Sequence, residues 1–127
     1  MPNYSSQYMK HFTAPQNSGE VENPDAAAEV KHEGGGCLDQ VRMTLKVEDG
    51  KISELKYRLR ACSGTIAACS GITSIASGKT LEEAAKLGTE ELLAELGGVP
   101  ERKMHSVELA VKALQRTIAD YNEGKSE

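Results

Sequence analysis

Two alternating runs joined by an Asp-Gly dipeptide, followed by an abrupt change of period, do most to limit what this chain can fold into. Val41, Met43, Leu45 and Val47 alternate with Gln40, Arg42, Thr44 and Lys46, the pattern of a strand with one buried face. Leu55, Tyr57 and Leu59 alternate with Lys56, Arg58 and Arg60 and predict a second strand. Asp49-Gly50 between them signals a hairpin. A two-residue turn alone would set Leu45 opposite Glu54 and turn the apolar residues of the second strand to the wrong face. A one-residue bulge near Ile52, or a longer loop, is needed to bring Leu45 opposite Leu55. After Cys62 the period changes: Ile66, Cys69, Ile72, Ile75 and Ala76 recur every three or four residues, which is a helix.

That helix has Ser63 as a candidate N-cap and Gly78 as its stop. Thr80 to Glu83 fits a capping box ahead of a short helix from Leu81 to Leu87. Thr89 is placed to cap another helix, Glu90 to Leu96, that stops at Gly97-Gly98. Pro100 keeps the next turn extended, and a last helix runs from about Ser106 to Tyr121 with Val107, Ala110, Leu114, Ile118 and Tyr121 as its apolar stripe. Near the start, Tyr4, Tyr8, Met9 and Phe12 fall at helical spacing, and Pro15 and Gly19 end that segment. Residues 16–36 hold only Val21 and Val30 as strongly apolar positions and read as loop or a weak edge strand, closing on Gly34-Gly35-Gly36. The expectation is an α+β fold: a small antiparallel sheet of about three strands packed against a block of about four to five helices. With 127 residues, a single domain over 1–127 is expected.

Composition narrows the function. The net charge is −4 and aromatic residues are scarce, with no Trp. Such a chain lacks both the basic excess that neutralises phosphates and the aromatic platforms on which bases stack, so no nucleic-acid partner is expected. No apolar run approaches the ~20 residues that span a bilayer, so no membrane partner is expected either. The start, MPNYSSQYMK, has no apolar core of an export signal. Three cysteines, an odd count, then argue for reduced thiols in the cytoplasm rather than a disulfide framework.

The chemistry-bearing candidates are few. Cys37 and Asp39 stand two apart after three glycines and before a strand. In extended chain such residues project to one side, so a thiolate and a carboxylate can face one metal. The alternative is a loop cysteine beside a solvated aspartate. Cys62 lies at a strand end just before a helix, whose positive end favours thiolate; its alternative is a small buried residue. His105 sits at the mouth of the last helix, where an imidazole can bind a metal through one nitrogen and donate from the other. Ser106 suits an N-cap without any further role. Cys69 differs. It lies seven residues beyond Cys62, ~10 Å along a helix, whereas two sulfurs on one zinc are under ~5 Å apart. It also shares the apolar stripe with Ile66 and Ile72, and reads as core. Cys37, Asp39, Cys62 and His105 together offer two sulfurs, one oxygen and one nitrogen, a set that suits tetrahedral zinc or a small iron–sulfur cluster. No nucleophile–base arrangement or phosphate-binding glycine loop stands beside it, so a non-enzyme is expected.

With those residues in view, the chain resembles the iron–sulfur cluster assembly scaffolds, the IscU proteins and the N-terminal domain of NifU. The resemblance covers nearly the whole chain. It rests on His11-Phe12, Pro15, Asn17 and Gly19; on Cys37-Leu38-Asp39; on Ala61-Cys62 and the helix that follows; and on Gly78-Lys79-Thr80-Leu81-Glu82-Glu83-Ala84. It continues through Gly98-Val99-Pro100, Lys103-Met104-His105 and Ala119-Asp120-Tyr121. Residues 97–110 look closer to NifU than to the zinc-dependent SufU branch, whose insertion is absent.

What the resemblance implies is a scaffold on which a 2Fe-2S cluster is assembled, with zinc or iron as alternative occupants. A cysteine desulfurase would supply sulfur and iron–sulfur acceptor proteins would receive the cluster. The implied ligands are Cys37, Asp39, Cys62 and His105, with Lys103 and Ser106 beside them. One departure matters: the family's third cysteine follows the histidine, and this chain has Ser106 there. A neutral hydroxyl is a poor ligand for soft iron–sulfur chemistry, so sulfur acceptance and cluster holding at that position would differ. Two accounts follow besides the plain scaffold. One is a variant scaffold with altered cluster binding, including a homo-oligomer that shares one cluster. The other is a zinc-dependent sulfur acceptor of the SufU type. The family's chaperone motif is also poorly kept in Val99-Pro100-Glu101-Arg102-Lys103, which weakens the expectation of a specialised Hsp70 partner.

Overall fold

A computed structural model describes residues 5–32, 39–60 and 63–125, with backbone alone at 32, 39, 63, 64, 102, 124 and 125. In chain order the elements are α1 (Ser6–Thr13), β1 (Ala26–His32), β2 (Asp39–Glu48), β3 (Lys51–Arg60), α2 (Ser63–Ala76), α3 (Leu81–Ala85), α4 (Thr89–Leu96) and α5 (Met104–Lys125), with a single 3₁₀ turn at Glu101–Lys103 ahead of α5. The strands form one antiparallel sheet in the order β1-β2-β3. The α+β expectation therefore holds, and the weak 16–36 segment supplies its edge strand.

The hairpin resolves the register conflict read from the sequence. Asp49 and Gly50 take φ of 54° and 76°, both in the left-handed region, as the tight primed turn requires. Glu48 pairs with Lys51 and Val47 with Ile52, but Lys46 pairs with Glu54. Ser53 is the extra residue of a bulge, and beyond it Leu45 faces Leu55, Met43 faces Tyr57 and Val41 faces Leu59. The two-residue turn and the bulge thus coexist.

The inner face of the sheet carries Val30, Val41, Met43, Leu45, Leu55 and Tyr57, all buried. α5 packs on β1 and β2, and α2 packs on β3 and α5. α4 lies on α2 and α5, and α1 lies on α2 and α4. Buried apolar residues from all three strands and from α1 to α5 join one cluster. Val107, Ala110, Leu114 and Ile118 of α5 are buried as the stripe requires, with Tyr121 half-buried. In α1, Tyr8 is buried and Phe12 half-buried, but Met9 is exposed. Gly71 lets α2 and α4 approach closely, since a Cβ there would stand 2.8 Å from the Leu92 Cδ1 atom.

Helix boundaries depart from expectation at four places. α1 starts at Ser6, with the Ser5 hydroxyl accepting from the Tyr8 N–H at 2.9 Å. α3 ends at Ala85, after the expected Thr80–Glu83 capping box. Thr89 is the first residue of α4 rather than its cap; Gly88 holds the cap position and its N–H donates to the Glu91 carboxylate at 2.8 Å. α5 begins at Met104, not Ser106, so Ser106 lies inside the first turn and is not a cap. The cap of α2 falls on residues outside the description.

Candidate functional site

One end of the sheet collects the starts of β2, α2 and α5. His32 at the end of β1 is the register partner of Asp39 at the start of β2, and Arg60 at the end of β3 pairs with Gln40. The segments 33–38 and 61–62 therefore both join described backbone at this end. Cys37 and Cys62 belong to those segments and lie outside the described residues, as does the Asp39 side chain. α2 begins immediately after the second segment, at Ser63.

α5 reaches the same place through a buried hydrogen bond. Thr65, in the first turn of α2, donates through Oγ1 to the Ser106 Oγ at 3.0 Å. Both residues are buried, at 0% and 2% exposure, so the bond is shielded from competing water. It ties the N-terminal turns of the two longest helices together. His105 precedes Ser106, is half-buried, and its Nε2 stands 3.5 Å from the Ser106 Oγ. Lys103, also half-buried, ends the 3₁₀ turn just ahead. The positive ends of both helix dipoles thus meet where the two cysteine-bearing segments join the fold, a field that favours anions and thiolates.

Of the expected ligands, the backbone of Asp39 and the whole of His105 are brought to this end. Ser106 points into the interior and is held by Thr65, a partner that sequence reasoning missed because 41 positions separate the two. Among the described residues, no group of three or more His, Cys, Asp or Glu could hold a metal. Cys69 is fully buried, and burial pushes its thiol well above the ordinary cysteine range. It is core, as its place on the stripe indicated. A shallow cavity of about 460 Å³ lies on the outer face of the sheet, lined by Glu29, Gln40, Arg42, Arg58, Leu59 and Arg60.

A second polar cluster had no sequence signal of its own. The His11 ring lies between Ser70 and Glu95: Nδ1 is 2.7 Å from the Ser70 Oγ and Nε2 is 2.8 Å from the Glu95 Oε2. The Gln16 N–H donates to the same Ser70 oxygen at 2.8 Å. The network assigns the hydroxyl proton to Nδ1 and the ring proton to Nε2, which donates to the carboxylate. The order serine, histidine, carboxylate matches a hydrolase triad, but Ser70 is fully buried within α2 and cannot meet a substrate. The cluster fastens α1 to α2 and α4.

No helix is long and apolar enough to cross a membrane among the described residues. The family model described as the NifU-like N terminal domain matches residues 3–127. Two proteins of Archaeoglobus fulgidus named iron-sulfur cluster assembly scaffold protein IscU are each 38% identical over 118 residues, covering 93% of this chain and 76% of theirs. A Drosophila melanogaster protein named iron-sulfur cluster assembly enzyme IscU is 32% identical over 120 residues, covering 93% of this chain and 77% of its own. A solved nitrogen-fixing NifU-like protein (N-terminal) from Brucella abortus has the same fold, with a TM-score of 0.69 at 22% identity and 94% of each chain covered. This chain belongs to the family of the NifU-like N terminal domain.

Proposed function

We propose that this protein is a scaffold, not a catalyst, on which an iron–sulfur cluster is assembled as cargo and from which it is passed on. The observation that carries the reading is the meeting of the β2, α2 and α5 starts at the sheet end that the cysteine-bearing segments 33–38 and 61–62 join. The donor set fits that cargo: thiolates of Cys37 and Cys62 supply soft ligands, while His105 and Asp39 supply a nitrogen and an oxygen. The cargo in this reading is a 2Fe-2S cluster, with iron or zinc able to occupy the same donors. The sulfur donor is a cysteine desulfurase and the recipients are iron–sulfur acceptor proteins. The work belongs in the cytoplasm, where thiols stay reduced.

The residues divide the labour. Cys37 and Cys62 hold iron, and the two helix dipoles favour their thiolate forms. Asp39 offers a hard oxygen to a soft centre, which weakens retention and makes the cargo releasable. Thr65 and Ser106 fix the first turn of α5 and so the position of His105. Ser106 accepts from Thr65 inside the fold, and its neutral hydroxyl is a poor ligand for soft iron–sulfur chemistry.

Asp39→Ala tests the reading. After anaerobic reconstitution with iron and sulfide, the visible absorbance of the variant should decay several-fold more slowly than that of the parent chain. Decay that is unchanged or faster would remove Asp39 from its releasing role.

A further inference from the structure

The two edges of the sheet are treated differently. The outer edge of β3 is occupied by its own chain: Tyr57 donates to the Asn17 carbonyl at 3.1 Å and accepts from the Gly19 N–H at 2.8 Å. Further along, Ile52 donates to the Lys79 carbonyl at 2.9 Å and accepts from the Gly78 N–H at 2.9 Å. The outer edge of β1 has one such contact among the described residues, the Ala27 N–H donating to the Asp120 Oδ2 at 3.1 Å. Strand alternation fixes what else that edge presents. With Tyr57 turned outward from β3, Arg58 and Arg42 bond each other across β2 and β3. Val41 then faces Val30, and Glu29 and Lys31 turn their N–H and C=O groups away from β2. Both side chains are exposed on the outer face. Beside the Ala27–Asp120 contact, a recess of about 340 Å³ between this edge and α5 has a lining that includes Ala27, Ala28, Glu29, Arg116, Asp120 and Glu123.

We propose that the β1 edge is a self-association surface on which a second copy of this chain adds its own β1, antiparallel, to form one continuous sheet. An open edge with unpaired backbone groups is a template for such pairing. The charges select both the partner and the register. Groups that bond across the new seam must be outward residues of both copies, so Glu29 and Lys31 can meet in three ways. One register sets Glu29 against Glu29, another sets Lys31 against Lys31, and like charges directly opposite repel. The third sets Glu29 of each copy against Lys31 of the other, with the two-fold axis at Val30. It closes the dimer with matching cross-strand pairs on both sides, an isologous contact. Because the strands run in opposite directions, the sheet ends that carry Asp39 point away from one another and the two candidate sites stay separate.

Charge exchange tests it on the full chain by sedimentation velocity across a concentration series, with far-UV circular dichroism as a check on folding. The parent chain should form dimers as concentration rises towards the millimolar range. Glu29→Lys and Lys31→Glu should each shift dissociation at least tenfold towards monomer. The double variant E29K/K31E, in which each charge again meets its opposite, should recover dimerisation. A parent chain that stays monomeric throughout would overturn the proposal. So would single variants that dimerise like the parent, or a folded double variant that stays monomeric.

Discussion

Buried polar atoms define what single residues do here. Tyr57 is 2% exposed and its hydroxyl has no hydrogen-bond partner among the described residues. Burial, with the Cys69 thiol adding its charge when ionised, pushes the phenol up to about 12, so the group stays neutral. An orphaned buried hydroxyl costs about 1–3 kcal/mol of desolvation. Tyr57→Phe removes that cost and keeps the ring, which packs across from Met43. The variant should unfold at a higher urea midpoint, by about 1 kcal/mol at constant slope; an unchanged or lower midpoint would mean that the hydroxyl is satisfied in solution. The contrast with Ser106 is instructive. A serine at a helix start reads as a cap from the sequence, because capping is its commonest use. The 3₁₀ turn moves the start of α5 two residues earlier, to Met104, and sends the Ser106 hydroxyl inward to Thr65.

The elements were legible wherever a local pattern decided them. The β2–β3 hairpin followed from alternation and Asp49-Gly50, and the mismatch between turn length and apolar register called for a bulge or a longer loop, of which the bulge is found. The Thr80–Glu83 box and the Gly97 stop were likewise local: Gly97 holds φ of 69° at the end of α4. What the sequence did not disclose are the bonds between elements. Thr65 to Ser106 and His11 to Ser70 and Glu95 join positions far apart in the chain, and no periodicity marks a residue for a partner that only the fold supplies. These bonds set how helices meet, and one of them is directly measurable. Ser106→Ala removes the acceptor of the Thr65 hydroxyl between the first turns of α2 and α5. It should cost about 1 kcal/mol. It should also speed amide exchange at the start of α5 more than at its middle. Uniform protection along α5 would show that the bond does not hold that turn.

For the molecule as a whole, fold and site were legible to different degrees. One sheet face is covered by α5 and α2, and the described backbone that flanks segments 33–38 and 61–62 lies at the sheet end where α5 starts. The candidate ligands Cys37, Asp39, Cys62 and His105 were legible as residue types that suit metal, and the family resemblance tied them together. That the elements flanking them meet at one end was not legible, since 68 positions separate Cys37 from His105 and it is the pairing of Gln40 with Arg60 and of Thr65 with Ser106 that brings those elements together. The central claim is that this end holds iron and sulfide through two thiolates. Iron, zinc and acid-labile sulfide should be measured per chain after anaerobic reconstitution, on the parent protein and on Cys37→Ala, Cys62→Ala and Ser106→Cys. The account predicts iron and sulfide in equal amounts in the parent, loss of both in either alanine variant, and firmer retention in Ser106→Cys. Zinc without sulfide in the parent, or iron and sulfide undiminished in the alanine variants, would contradict it.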